Sequence, residues 1–86
     1  GLTNLHVVSQ SSSAVTFDWD DCGCASYIYT VKYVRVSDGY TSPEVQTANS
    51  NYTFSNLPSG TYQFFFKVDS NGGSSGFIGG DDQFVL

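Results

Sequence analysis

Apolar and polar residues alternate with a period of two through most of the chain, which is the pattern of half-buried β-strands. The clearest runs span residues 14–19, 27–36 and 61–70. Shorter strands are predicted within residues 2–8, at 44–47, at 51–54 and in the terminal "DQFVL". Helical periodicity is absent from the sequence. The pattern therefore predicts an all-β protein of about seven short strands.

The alternation also predicts which side chains form the core. Seven Phe, six Tyr and one Trp provide enough apolar area for 86 residues to fold as one domain spanning 1–86. The predicted core consists of the apolar faces of three strands and one turn residue: Val15, Phe17, Trp19, Tyr29, Val31, Tyr33, Leu57, Tyr62, Phe64, Phe66 and Val68.

Several motifs resemble those of fibronectin type III domains over essentially the whole chain. They are "SSSAVTFDW", "YTVKY" and "YTFSNLPSGTYQFFFKV", followed by a "NGGSS" loop. In that family the second strand carries two apolar residues and a Trp at alternate positions, which Val15, Phe17 and Trp19 match. The resemblance implies a seven-stranded antiparallel β-sandwich of two sheets.

The resemblance also implies a tyrosine corner at the turn before the sixth strand. Tyr62 matches the corner residue, and its buried hydroxyl is expected to bond to the backbone of the turn. The family pattern is compressed by one residue here, because Pro58 directly follows Leu57 and Thr61 directly precedes Tyr62.

Charge and composition narrow the functional classes. The net charge is −5, and the cations are Lys32, Arg35 and Lys67. Nucleic-acid binding needs clustered Lys and Arg, so it is not expected, and neither is binding to an anionic membrane. No apolar run approaches the roughly 20 residues of a membrane span, so membrane insertion is not expected either. A composition poor in Lys and rich in Ser, Asn, Gly and Tyr favours an extracellular or cell-surface protein in a bacterial style.

Catalysis is not expected. The only histidine, His6, lies in the predicted first strand between Leu5 and Val7, where an ordinary strand histidine is the simpler interpretation. The Gly-rich run "NGGSSGFIGG" is not followed by a helix, so it lacks the physical basis of a phosphate-binding loop. We expect no enzyme activity and no cofactor.

Calcium is the metal that the acidic residues would suit. The resemblance implies that the loop at 20–26 and the loop at 69–82 share one pole of the sandwich. The candidate carboxylate ligands for calcium are Asp20, Asp21, Asp69, Asp81 and Asp82. No Asp-x-Asp-x-Asp-Gly loop is present, and a solvated acidic rim is the alternative.

Both cysteines, Cys22 and Cys24, lie in the loop that ends at Ser26. Zinc would need four ligands, and a thioredoxin-type centre needs Cys-x-x-Cys at the start of a helix. In an oxidising compartment we predict a local Cys22–Cys24 disulfide. Free thiols and a bridge to a partner chain remain open as alternatives.

Two surface features complete the set of candidate sites. Ile28, Val34 and Phe65 fall on the outward side of two neighbouring strands, where they form either scattered exposed residues or a small interaction face. Asn51-Tyr52-Thr53 matches the N-glycosylation pattern, and the adhesive triplet Arg-Gly-Asp is absent from the sequence.

The predicted function is that of a non-catalytic spacer or docking module in a secreted or cell-surface multidomain protein. We expect a monomer whose partners are neighbouring domains, with carbohydrate-active enzyme or adhesin domains as the company that the resemblance implies in bacteria. One alternative is a module that binds carbohydrate, protein or calcium through the loops at 20–26 and 69–82. A second is an adhesion or receptor segment that contacts a protein partner.

Overall fold

The chain folds into two antiparallel β-sheets, as a computed structural model that describes residues 2–86 shows. No helix in that stretch is long and apolar enough to cross a membrane. The strands are β1 (His6–Gln10), β2 (Val15–Asp18), β3 (Tyr27–Arg35), β4 (Tyr40–Thr41), β5 (Val45–Thr47), β6 (Asn51–Phe54), β7 (Thr61–Ser70), β8 (Gly73–Ser74), β9 (Ile78–Gly79) and β10 (Phe84–Val85).

The two sheets differ in the number and order of their strands. The smaller sheet has the order β1-β2-β6, and the larger sheet is built on the long pair β3 and β7. β4 and β5 pair with β3, while β8, β9 and β10 all pair with β7. The seven predicted strands correspond to β1, β2, β3, β5, β6, β7 and β10, while β4 lies between two predicted strands and β8 and β9 lie in the Gly-rich run that was predicted as a loop.

Aromatic side chains fill the space between the sheets. Phe17 of β2 lies 5.2 Å from Phe64 and 4.8 Å from Phe66 of β7, measured between ring centroids. Ten of the eleven predicted core residues are buried, and Tyr33 is partly buried against the same cluster. Phe54 of β6 is also buried, although it was not in the predicted core. Alternation therefore assigns the inward faces of β2, β3 and β7.

The tyrosine corner forms in spite of the compressed motif. Tyr62 is fully buried, and its hydroxyl donates a 2.6 Å hydrogen bond to the carbonyl oxygen of Pro58. The backbone N–H of Leu57 donates to the carbonyl oxygen of Ser13 at 2.9 Å, which ties this turn to the turn between β1 and β2. The phenol thus has the polar partner that a buried tyrosine requires.

The hairpin from β3 to β4 is closed by an ion pair. Both carboxylate oxygens of Asp38 accept hydrogen bonds of 2.9–3.0 Å from Arg35, and Asp38 also accepts one of 3.1 Å from the N–H of Tyr40. The Arg35 guanidinium, followed by that backbone bond, holds the pKa of Asp38 below its usual value. Gly39, which follows Asp38 in this turn, adopts a φ of 77°, a conformation that tight hairpin turns require and that glycine reaches without steric cost.

The Gly-rich segment after β7 differs from its predicted loop, because parts of it pair with β7. Phe65 pairs with Gly79, so an uninterrupted ladder would pair Tyr62 with Asp82; Tyr62 instead pairs with Phe84. Extra residues therefore bulge out between β9 and β10. Bulges of this kind break the period-two pattern, which is why the alternation of apolar and polar residues did not identify β8 and β9 as strands.

Candidate interaction sites

The loop between β2 and β3 carries the two cysteines at its tip. Their sulfur atoms lie at bonding distance, and their Cα atoms are 5.2 Å apart. Gly23 between them has a φ of 70°, which a glycine adopts without steric cost. The backbone N–H of Cys22 donates a 2.8 Å hydrogen bond to the hydroxyl of Tyr29, which anchors this end of the loop to the core.

A thiol titration tests the predicted disulfide. Unfolded, unreduced protein is expected to show no reactive thiol towards a chromogenic thiol reagent, and the same sample after reduction should show two. The unfolded state is needed because both cysteines are partly buried in the native fold. Two reactive thiols before reduction would contradict the local bridge. A mass twice that of the chain on a non-reducing gel would indicate a bridge between chains instead.

The β2–β3 loop meets the turn between β7 and β8 at one pole of the sandwich. The backbone N–H of Asn71 donates to the carbonyl oxygen of Ser26 at 3.4 Å. Beside this contact lies a hollow of about 220 Å³ whose lining includes both cysteines, Val68 and the Gly and Ser residues of the β7–β8 turn. We call this end of the molecule the disulfide pole.

The calcium candidates do not form one cluster. Asp20 accepts hydrogen bonds from Thr3 Oγ1 at 3.2 Å and from Asn4 Nδ2 at 3.3 Å, and Asp69 lies 3.8 Å from Lys67 Nζ. Asp21 is exposed, whereas Asp81 and Asp82 line a separate opening between β1 and the last strands. Within residues 2–86 no three acidic, His or Cys side chains are grouped to hold a metal ion. The pairing of β8 and β9 with β7 divides the predicted 69–82 loop, so it does not act as one acidic loop.

The predicted outward face is partly covered by the chain itself. Ile28, Val34 and Phe65 are half-buried rather than exposed. Phe77 lies beside this face, with Lys32 Nζ 4.3 Å and Lys67 Nζ 4.9 Å from its ring centroid. These distances place both ammonium groups in cation–π contact with one ring.

Phe77 was missed because its segment was assigned to a loop. The sequence signal that could have identified it is an apolar Phe-Ile pair inside a run of glycines, because glycine in a strand often marks a bulge or a close backbone approach.

The glycosylation candidate and the histidine are both on the surface. Asn51 is exposed at the start of β6, and His6 is exposed with Nδ1 2.6 Å from the carbonyl oxygen of Asn4.

Known structures share this architecture. A human collagen α-1(XX) fibronectin type III domain matches with a TM-score of 0.70 and 18% identity, over 99% of this chain and 82% of that one. The twitchin kinase region of C. elegans matches with a TM-score of 0.77 and 19% identity over 99% of this chain. Domains d3–d4 of the rat CD45 extracellular region match with a TM-score of 0.77 and 9% identity over 99% of this chain.

The similarity to these known structures shows the fold of the chain and does not show its function. No protein-family model matches the sequence, and no curated protein matches it either. The chain spans only 16% of the twitchin chain and 48% of the CD45 chain, so in each it corresponds to part of a multidomain protein. The chain has the fold of a fibronectin type III domain, as its sequence motifs predicted.

Proposed function

We propose that the chain is a non-catalytic spacer module that sets the distance and orientation of neighbouring domains in a secreted or cell-surface protein. The observation that carries this proposal is the position of its first and last strands. Each is hydrogen-bonded to the sandwich at a different pole, so a load applied at either end passes through the packed core.

The contacts at the two poles support the proposal. At the disulfide pole, the segment before β1 is fixed because the N–H of Asp20 donates to the carbonyl oxygen of Thr3 at 2.9 Å. At the opposite pole, Leu86 and Gly60 exchange two backbone hydrogen bonds of 2.9 and 3.1 Å. β7 runs from Thr61, next to Gly60, to Ser70 at the disulfide pole, so the two poles lie at opposite ends of the longest strand in a molecule that measures 39 × 23 × 20 Å.

The surroundings of the module are part of the same proposal. Similar folds occur within larger chains, including the twitchin kinase region and the extracellular region of rat CD45. The Cys22–Cys24 pair and the Lys-poor composition support an oxidising, extracellular location. The composition supports a bacterial parent protein, and in bacteria the resemblance to fibronectin type III domains implies carbohydrate-active enzyme or adhesin domains as neighbours.

Pulsed electron paramagnetic resonance tests the spacer role. Nitroxides are attached through non-cysteine chemistry at Asp21 and Val85, which are exposed near opposite poles. A rigid spacer predicts one narrow distance distribution for this pair, of the same order as the 39 Å length of the molecule. As the matched control, labels at Asp21 and Ser74 lie at the same pole and should give a much shorter distance. A broad distribution for the pole-to-pole pair would contradict the proposal.

A further inference from the structure

The two sheets leave an opening along one side of the sandwich, between β1 and the β9–β10 segment. It encloses about 330 Å³ and reaches the aromatic core at Phe17, Phe64 and Phe66. Its walls are residues 5–7 on one side and residues 78–82 on the other. We call this opening the edge cleft. Its volume lies at the lower end of the range typical of ligand pockets.

Two glycines let one wall of the edge cleft lie close against β7. Gly79 has a φ of 110°, and a Cβ there would collide with the backbone carbonyl oxygen of Phe64. A Cβ on Gly80 would lie 2.6 Å from the ring of Phe65. The chain therefore approaches β7 too closely to carry side chains at these two positions.

Both walls of the edge cleft are sheet edges. β1 pairs only with β2, and β9 pairs only with β7. The outer edge of each strand thus retains unpaired backbone groups, which are the usual template for adding a further strand. Val7 and Ile78 are exposed on the two walls, at 38% and 39% of their surface. An incoming strand would find both backbone partners and apolar surface here.

The formally charged side chains that line the edge cleft are acidic, and His6 is the further titratable side chain in its lining. Asp81 and Asp82 are exposed on its lip. All three cations of the sequence lie on β3 and β7, and none of them lines the cleft. An apolar floor under an acidic lip is complementary to an apolar side chain that has a cation close to it.

We propose that the edge cleft is a docking site for an extended segment of another protein, one that presents an apolar side chain next to Lys or Arg. The apolar side chain enters the cleft between the sheets. The neighbouring cation pairs with Asp81 and Asp82, and the backbone of the segment pairs with a free strand edge. This inference goes beyond the spacer role and does not depend on it.

The probe is the capped peptide Ser-Lys-Phe-Lys-Val-Thr, with a twin in which both Lys are Glu. Titration of the ¹⁵N-labelled chain is expected to give saturable shifts of the backbone amides of Val7 and of residues 78–82. We expect the acidic twin to bind about tenfold or more weakly, because its charges repel the lip. Rising salt should weaken binding of the Lys peptide.

Two double variants separate the lip from net charge. The first variant combines Asp81→Asn with Asp82→Asn. The control variant combines Asp21→Asn with Glu44→Gln. Each removes two negative charges at exposed positions. The first pair should weaken binding of the Lys peptide several-fold, while the control pair should leave it unchanged. An amide spectrum of each variant verifies that it is folded.

Four outcomes would overturn the inference. They are the absence of saturable shifts at the cleft at millimolar peptide, equal binding of the two peptides, equal loss of binding in the two double variants, and shifts of the cleft amides with protein concentration alone. The last result would make a second copy of this chain the occupant.

Discussion

Replacing Phe64 by alanine will destabilise the fold by about 3–5 kcal/mol, a large part of the total stability of a small domain. The Phe64 side chain is buried and lies within 5.3 Å, centroid to centroid, of three aromatic rings on three other strands: Phe17, Phe54 and Phe84. Its removal leaves a cavity where the two sheets meet. Urea unfolding followed by Trp19 fluorescence measures the change in the free energy of unfolding.

Phe65→Ala is the matched control, because the next residue on the same strand faces the other way. Phe65 is half-buried and contacts Lys32, whose Nζ lies 5.8 Å from the ring centroid. Losing about half of the burial of a Phe side chain should cost about 1 kcal/mol. Equal losses for the two substitutions would show that β7 does not alternate between core and surface as described.

Gly79→Ala will lower the free energy of unfolding by at least about 3 kcal/mol. The new Cβ would meet the carbonyl oxygen of Phe64, a backbone atom that also accepts a 3.1 Å hydrogen bond from Gly80. The φ of 110° adds strain for any side chain. Relief requires β9 to leave β7, so hydrogen exchange at the β7–β9 amides should also accelerate.

Gly76→Ala separates the steric clash from the backbone strain. Gly76 also has a positive φ, of 71°, but a Cβ there would meet nothing within 4 Å. Only the left-handed backbone is then penalised, at about 1–2 kcal/mol. If Gly79→Ala were no more destabilising than Gly76→Ala, the close approach of β9 to β7 would be wrong.

The core was predictable from the sequence because its strands are regular. Val15 and Phe17 on β2, and Phe64 and Phe66 on β7, point inward at every second position without interruption. The motifs that resemble fibronectin type III domains lie in these regular strands, and the comparisons with known structures confirm the fold. The Tyr62 hydroxyl bond to the turn was likewise predictable, since a buried phenol needs a partner close by.

The Gly-rich segment that contains β8 and β9 was not predictable in the same way. Its pairing with β7 is held by backbone groups of glycines, and bulges shift the register between β9 and β10. A period-two pattern cannot survive such insertions. Phe77 lies just before β9 and outside any strand, as predicted, but the sequence did not indicate its contacts with Lys32 and Lys67.

The edge cleft lies between β1 and residues 78–82, so no local sequence pattern could predict it. Asp81 and Asp82 were singled out as acidic residues of a calcium-binding pole, whereas they lie on the lip of an apolar opening beside β1. Which neighbours they meet is decided by tertiary packing between two sheet edges. No local pattern in the sequence records that packing.

The pairing of β9 and β10 with β7 is the central claim, because both the edge cleft and the role of Gly79 depend on it. Nuclear Overhauser contacts between backbone protons measure this pairing directly. We expect cross-strand contacts between Phe66 and Ile78 and between Tyr62 and Phe84. Contacts between Tyr62 and Asp82 would show an uninterrupted ladder without the bulge and would contradict the account.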